Sequence, residues 1–198
     1  RQIVDRLNAW AERDQDTNQI LQACHAEWST HSFLGEHEAA RASSERGWGL
    51  YDHARHGTLA FTYGAHDPGV CSRNHAALAN WCLGYPDRAR ACYEDGLALA
   101  RELAHPQIIV HALNWGMPLF QLCRDRARLR SQADTALELA AEQGLANYRT
   151  DAQILRGWVL SREGEIDDAI HLMRVGLAER QERGTLCLHP YYLSLFAR

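Results

Sequence analysis

Three positions 40 residues apart, Gly84, Arg124 and Gly164, each open a similar downstream pattern in this chain. Five residues on stand Ala89, Leu129 and Ala169. Twelve on come Gly96-Leu97-Ala98, Ala136-Leu137-Glu138 and Gly176-Leu177-Ala178; twenty on, Ala104, Gly144 and Gly184. Small residues held at fixed offsets keep helices in close approach, and a period of this length marks a helical repeat. The expected fold class is therefore all-α, a superhelical stack of antiparallel helix pairs.

Local signals divide the chain accordingly. Residues 2 to 13 read as an amphipathic helix with Ile3, Val4, Leu7 and Trp10 on one side. The first full pair has a helix through Ile20, Leu21, Cys24 and Trp28, a turn at Leu34-Gly35-Glu36, and a second helix carrying Ala39, Ala40, Gly47, Leu50 and Tyr51. Gly35 to Gly84 is 49 residues, nine more than the period, and the surplus falls between Arg55 and Gly69 as an inserted connection. Asp67 then serves as an N-cap with Pro68 at the first helical position, which predicts a helix to about Leu83. Pro86-Asp87 opens its partner, and Gly144 and Gly184 stop later helices. The units, about 16–55, 68–104, 106–144 and 147–184, make one repeat domain over residues 1–198. Partial repeats at both ends are expected of a segment of a longer protein, and uncovered apolar ends leave a homodimer open.

All 21 basic residues are arginine. Without lysine the chain has no P-loop lysine, no Schiff-base lysine and no protein-kinase lysine. A net charge of −4 gives no basic field for nucleic acid or an anionic membrane, and no apolar run is long enough to span a bilayer. A cytoplasmic location is expected. Cys24, Cys71, Cys82, Cys92, Cys123 and Cys187 form no C-x-x-C pair and read as reduced core residues.

The turns Leu34-Gly35-Glu36, Leu83-Gly84-Tyr85-Pro86-Asp87-Arg88-Ala89 and Glu163-Gly164-Glu165-Ile166-Asp167-Asp168-Ala169 resemble the interhelical turn of tetratricopeptide repeats (TPRs). Further segments, Tyr63 to Val70, Trp81 to Asp87, Leu103-Ala104-His105-Pro106 and Arg156-Gly157-Trp158, resemble the C-terminal TPR region of bacterial signalling proteins. In those proteins a cyclase or other output domain precedes a signal-transduction ATPase and then helical repeats. The resemblance implies a TPR-like α-solenoid with a regulatory or protein-interaction role and no catalysis of its own. Its partner would be a protein, a peptide or another domain of the same polypeptide.

In that family the first helix of each pair lines a concave groove. The register places Gln22, His25 and Ser29; Cys71, Asn74 and Leu78; His111, Asn114 and Gln121; and Asp151, Trp158 and Arg162 near it. The candidate binding residues are Asn74, His111, Asn114, Gln121, Trp158 and Arg162. An asparagine amide can bond an extended peptide backbone through donor and acceptor, and an indole can anchor a partner. Both asparagines also read as ordinary exposed helix residues. A small-molecule or peptide-signal receptor, with the 55–69 insertion closing over the groove, is the alternative. An enzyme built on Cys71, near a helix start, is the third reading, although the sequence identifies no general base for it. The arginines at 124, 126, 128 and 130 diverge around a helix and read as a solvated face rather than an RNA-binding stripe. No cofactor is expected. The eleven histidines show no zinc-ligand spacing, so no metal is expected and the histidines read as solvated or capping. His66 and His105, just ahead of helix starts, exemplify the capping reading.

Overall fold

The computed structural model describes residues 2–63 and 66–197, and every regular element among them is a helix. The chain divides into two compact units, Arg1–Ala112 and Leu113–Arg198. The division of the expected single repeat domain falls inside a helix. Among the described residues no helix is long and apolar enough to cross a membrane.

The first unit contains α1 (Gln2–Asp14), α2 (Thr17–Leu34), α3 (His37–Leu50), α4 (His53–His56), α5 (Leu59–Tyr63), α6 (Pro68–Cys82), α7 (Pro86–Leu103) and the start of α8 (Pro106–Leu122). Helices α2 and α3 pack as a pair, as do α6 and α7, while α6 also meets α2 and α3. The second unit holds the end of α8, then α9 (Arg126–Glu142), α10 (Ala146–Glu163), α11 (Ile166–Glu182) and α12 (His189–Phe196). There α10 packs against α9, α11 and α12.

Close helix approach sits where the small-residue offsets put it. A Cβ on Gly96 of α7 would lie 2.9 Å from the Cβ of Arg73 on α6, and one on Gly176 of α11 would lie 3.0 Å from the Thr150 carbonyl oxygen on α10. Backbones that near admit no side chain between them. The intervening member, Ala136, is fully buried on α9.

The register of 40 is a register of helix ends. Gly84, Ala104, Arg124, Gly144, Gly164 and Gly184 all have positive φ, so the chain passes through the left-handed region once every 20 residues from 84 to 184. That conformation lets a helix stop and its last carbonyls find amide partners, and it strains any residue with a Cβ. Ala104 (φ 54°) and Arg124 (φ 57°) carry that strain. Replacing either with glycine is expected to raise stability by up to about 1 kcal/mol, read as a higher urea midpoint with an unchanged m-value.

Two features of the first unit are set by packing. On α1 the buried residues are Val4 and Ala11, while Ile3 and Trp10 are exposed, so much of its apolar side is open. The inserted connection holds α5 and begins within α4. Gly64 and Ala65, within it, lie outside the described residues. Its far end is fixed as the sequence predicts: the fully buried Asp67 carboxylate accepts from Val70 N (2.9 Å) at the start of α6 and from the Tyr51 hydroxyl (2.8 Å) just past α3. The cysteines also divide. Cys24, Cys71 and Cys92 are buried, but Cys82 and Cys187 are exposed and outside any core.

Candidate functional site

Three of the six candidate groove residues meet in the second unit. Gln121 and Leu122 at the end of α8, Arg124 in the turn, Arg126 in the first turn of α9, and Trp158 and Arg162 on α10 line a pocket of about 560 Å³. Arg126 Nη1 donates to the Arg162 carbonyl oxygen at 3.1 Å, tying the two sides of the pocket together. The Arg162 guanidinium lies 5.4 Å from the Trp158 ring centroid, a cation–π distance. Gln121 Oε1 accepts from the Tyr191 hydroxyl at 3.0 Å. Among the described residues the lining holds three arginines, one indole and no acidic side chain. Arg124 therefore has a place: it occupies a position where the sequence otherwise keeps glycine, and it faces this pocket.

The other three candidates are placed differently. Asn114 Nδ2 donates to Asp151 Oδ2 at 3.1 Å, so its amide serves an internal network. Asp151 also pairs with Arg180, whose guanidinium bonds the Cys187 carbonyl oxygen and lies 4.7 Å from the Tyr192 ring centroid. Arg180 is 2% exposed, and burial pushes its pKa down. Asn74, in the first unit, is buried with its amide oxygen turned toward Gly96 of α7, which leaves it no open face for a peptide. His111 is buried as well.

His111 belongs to a cluster that spacing did not disclose. His25 projects from the middle of α2, Cys71 from the first turns of α6 and His111 from α8, while His66 immediately precedes the Asp67 cap of α6. Cys71 Sγ is 3.2 Å from His111 Nε2, and the His66 and His111 rings stack with centroids 4.1 Å apart. His25 stacks on Trp28 at 5.1 Å and lies 6.2 Å from His66. His75, one turn after Cys71, shares a hydrogen bond with the Ser32 hydroxyl at 2.9 Å. Solvated or capping roles do not describe these four histidines: His75 and His111 are buried, His25 and His66 half-buried. His66 leaves the capping to Asp67. Capping does describe His56, whose Nδ1 accepts from Asp52 N at 2.8 Å.

Burial sets the protonation of the cluster. It lowers the pKa of His25 to about 4 and of His75 to about 3, with neighbouring imidazoles adding to both shifts. His66 is lowered by burial, and His111 well below the usual range by burial and then by His66, His75 and His25. All four rings are neutral at pH 7. His111 is the base-type partner for Cys71 that the sequence left unidentified. Burial raises the thiol and lowers the imidazole, the opposite of the thiolate–imidazolium pair of a thiol nucleophile. Cys71 is also only 2% exposed, so no substrate reaches it without movement.

Cys71 and His111 are 40 residues apart, in one register, and that was the available signal. His25 shares the first-helix register of its own pair. His66 comes from the insertion, outside any periodic rule. No protein-family model matches the chain, nor does any curated protein sequence.

Proposed function

We propose that this chain is a non-catalytic, TPR-like interaction module, and that the pocket of its second unit takes an acidic segment of a protein or peptide partner. The observation that carries this reading is Arg124: an arginine in a left-handed conformation where the register favours glycine, lining a pocket with Arg126, Arg162 and Trp158. Arg124, unlike the equally strained Ala104, brings a side chain to the pocket, and three guanidiniums around an indole suit carboxylates flanking an apolar side chain. Helix pairing at a 40-residue period, with left-handed turns every 20, supports the solenoid architecture. A regulatory role within a larger bacterial signalling protein is the setting that the TPR resemblance suggests.

The test is fluorescence anisotropy with a labelled extended peptide rich in Asp and Glu around one aromatic residue. Binding should weaken as salt rises, and Arg162→Ala should lower affinity about tenfold or more. Arg124→Gly should weaken binding while raising stability, a combination that a purely structural role for Arg124 does not produce. Equal binding of a peptide with the acidic residues replaced by glutamine would overturn the reading.

A further inference from the structure

We propose that His25, His66 and Cys71 form a binding site for a transition-metal ion of the zinc type, with two imidazole nitrogens and one thiolate as ligands. Their potential ligand atoms all lie within 4.8 Å of one another, and they come from three separate stretches of chain: α2, the end of the insertion, and α6. Bonds of about 2.0 Å to nitrogen and 2.3 Å to sulfur put ligand atoms in a tetrahedral site roughly 3.5 Å apart. Closing the cluster onto an ion thus asks for about 1 Å of adjustment, and the two histidines are less enclosed than the buried Cys71.

The donor set selects the metal class. Neutral imidazole and thiolate favour a borderline or soft ion such as Zn²⁺ over Mg²⁺ or Ca²⁺, which take oxygen ligands. Neutral histidines at pH 7 are also the form that coordinates. Binding exchanges one proton for the ion: the Cys71 S–H bond breaks, a sulfur–metal bond forms, and the proton leaves to solvent. His111 Nε2, 3.2 Å from the sulfur, then donates an N–H to the thiolate and positions it, a supporting role common around metal-bound cysteines and histidines. Three protein ligands leave the fourth coordination position to water or a small anion. The partly exposed side of the cluster, at His25 and His66, supplies the entry path, while Cys71 forms the buried wall. An ion held there ties the inserted connection to α2 and α6.

The experiment strips the purified chain with a chelator and titrates it with Co²⁺ alone, then Zn²⁺ alone. Wild type should bind one ion per chain, Co²⁺ should give a thiolate-to-cobalt charge-transfer band, and Zn²⁺ should displace it and raise the Tm. Cys71→Ser should abolish the band. His66→Gln, at a half-buried position outside the helices, should keep the fold by circular dichroism and weaken Zn²⁺ binding at least about a hundredfold. His111→Gln should retain the one-to-one stoichiometry with affinity about tenfold lower. His53→Gln, an exposed histidine elsewhere, should change nothing. If folded wild type gives no cobalt–thiolate band, or if His66→Gln binds Zn²⁺ as wild type does, the site does not exist. Should Cys71→Ser fail to fold, His66→Gln decides alone.

Discussion

Asp151→Ala is expected to destabilise the second unit by about 3–5 kcal/mol, the range found when one partner of a buried ion pair is removed. Arg180 sits on α11 with 2% exposure, and its countercharge comes from Asp151 on α10. Without that carboxylate the guanidinium keeps the Cys187 carbonyl oxygen and the Tyr192 ring, neither of which carries a full negative charge. Asn114 loses the acceptor of its amide at the same time. The arginine must then remain buried and uncompensated or move out and uncover Tyr192, so α12 is expected to loosen along with the α10–α11 pair. Urea denaturation should show a lower midpoint for Asp151→Ala. The double replacement Asp151→Leu with Arg180→Met should recover most of the loss, because two apolar side chains carry no desolvation penalty. A single-variant loss below about 1 kcal/mol would mean that water reaches Arg180 in the folded protein.

The second large effect is acid destabilisation of the first unit. Four histidines, His25, His66, His75 and His111, are held neutral in the fold by burial, whereas in the unfolded chain each takes a proton near pH 6.5. Below that pH the unfolded state binds more protons, so stability is complete above about 6.5 and falls as the pH falls. The loss continues toward the folded values, about 4 for His25 and about 3 for His75. Each ring contributes about 1.4 kcal/mol per pH unit across its window, so His25 alone costs about 3 kcal/mol between pH 6.5 and 4. Asp67 acts in the other direction: burial raises its carboxyl, against hydrogen bonds from Val70, Tyr51 and Gly69 that lower it, so it opposes the histidines as the pH falls through its raised value. Urea midpoints from pH 8 to pH 4, measured with a chelator present to keep metal loss out of the curve, should fall steeply below 6.5. His25→Gln should flatten the slope by about one proton, and a midpoint independent of pH over this range would show that the four rings are solvated.

The helical skeleton was legible because its signals are local. Asp67-Pro68 and Pro86-Asp87 start helices by capping or by pre-set φ, and the predicted starts agree with α6 and α7 to the residue. Small residues at 96 and 176 announced the close backbone approach found there. Of the residues chosen by register, Gln121, Trp158 and Arg162 line one pocket. Asn74 and Asn114 were not readable, because register gives a side chain's direction and not what covers it. Gly96 admits Asn74 into a buried space, and Asp151 claims the Asn114 amide. Helix periodicity put Ile3 and Trp10 on one apolar side, and both are exposed.

Cys71 and His111 show where the division falls. Their spacing of 40 placed them at equivalent points of the 40-residue register, and the chain determines that much by itself, since periodicity and caps depend on residues within one or two turns. Their meeting at 3.2 Å, the arrival of His66 from an insertion with no periodic rule, and the neutral state of all four rings were decided by tertiary packing alone. Desolvation and ligand convergence depend on neighbours far away in sequence, and no local pattern encodes them.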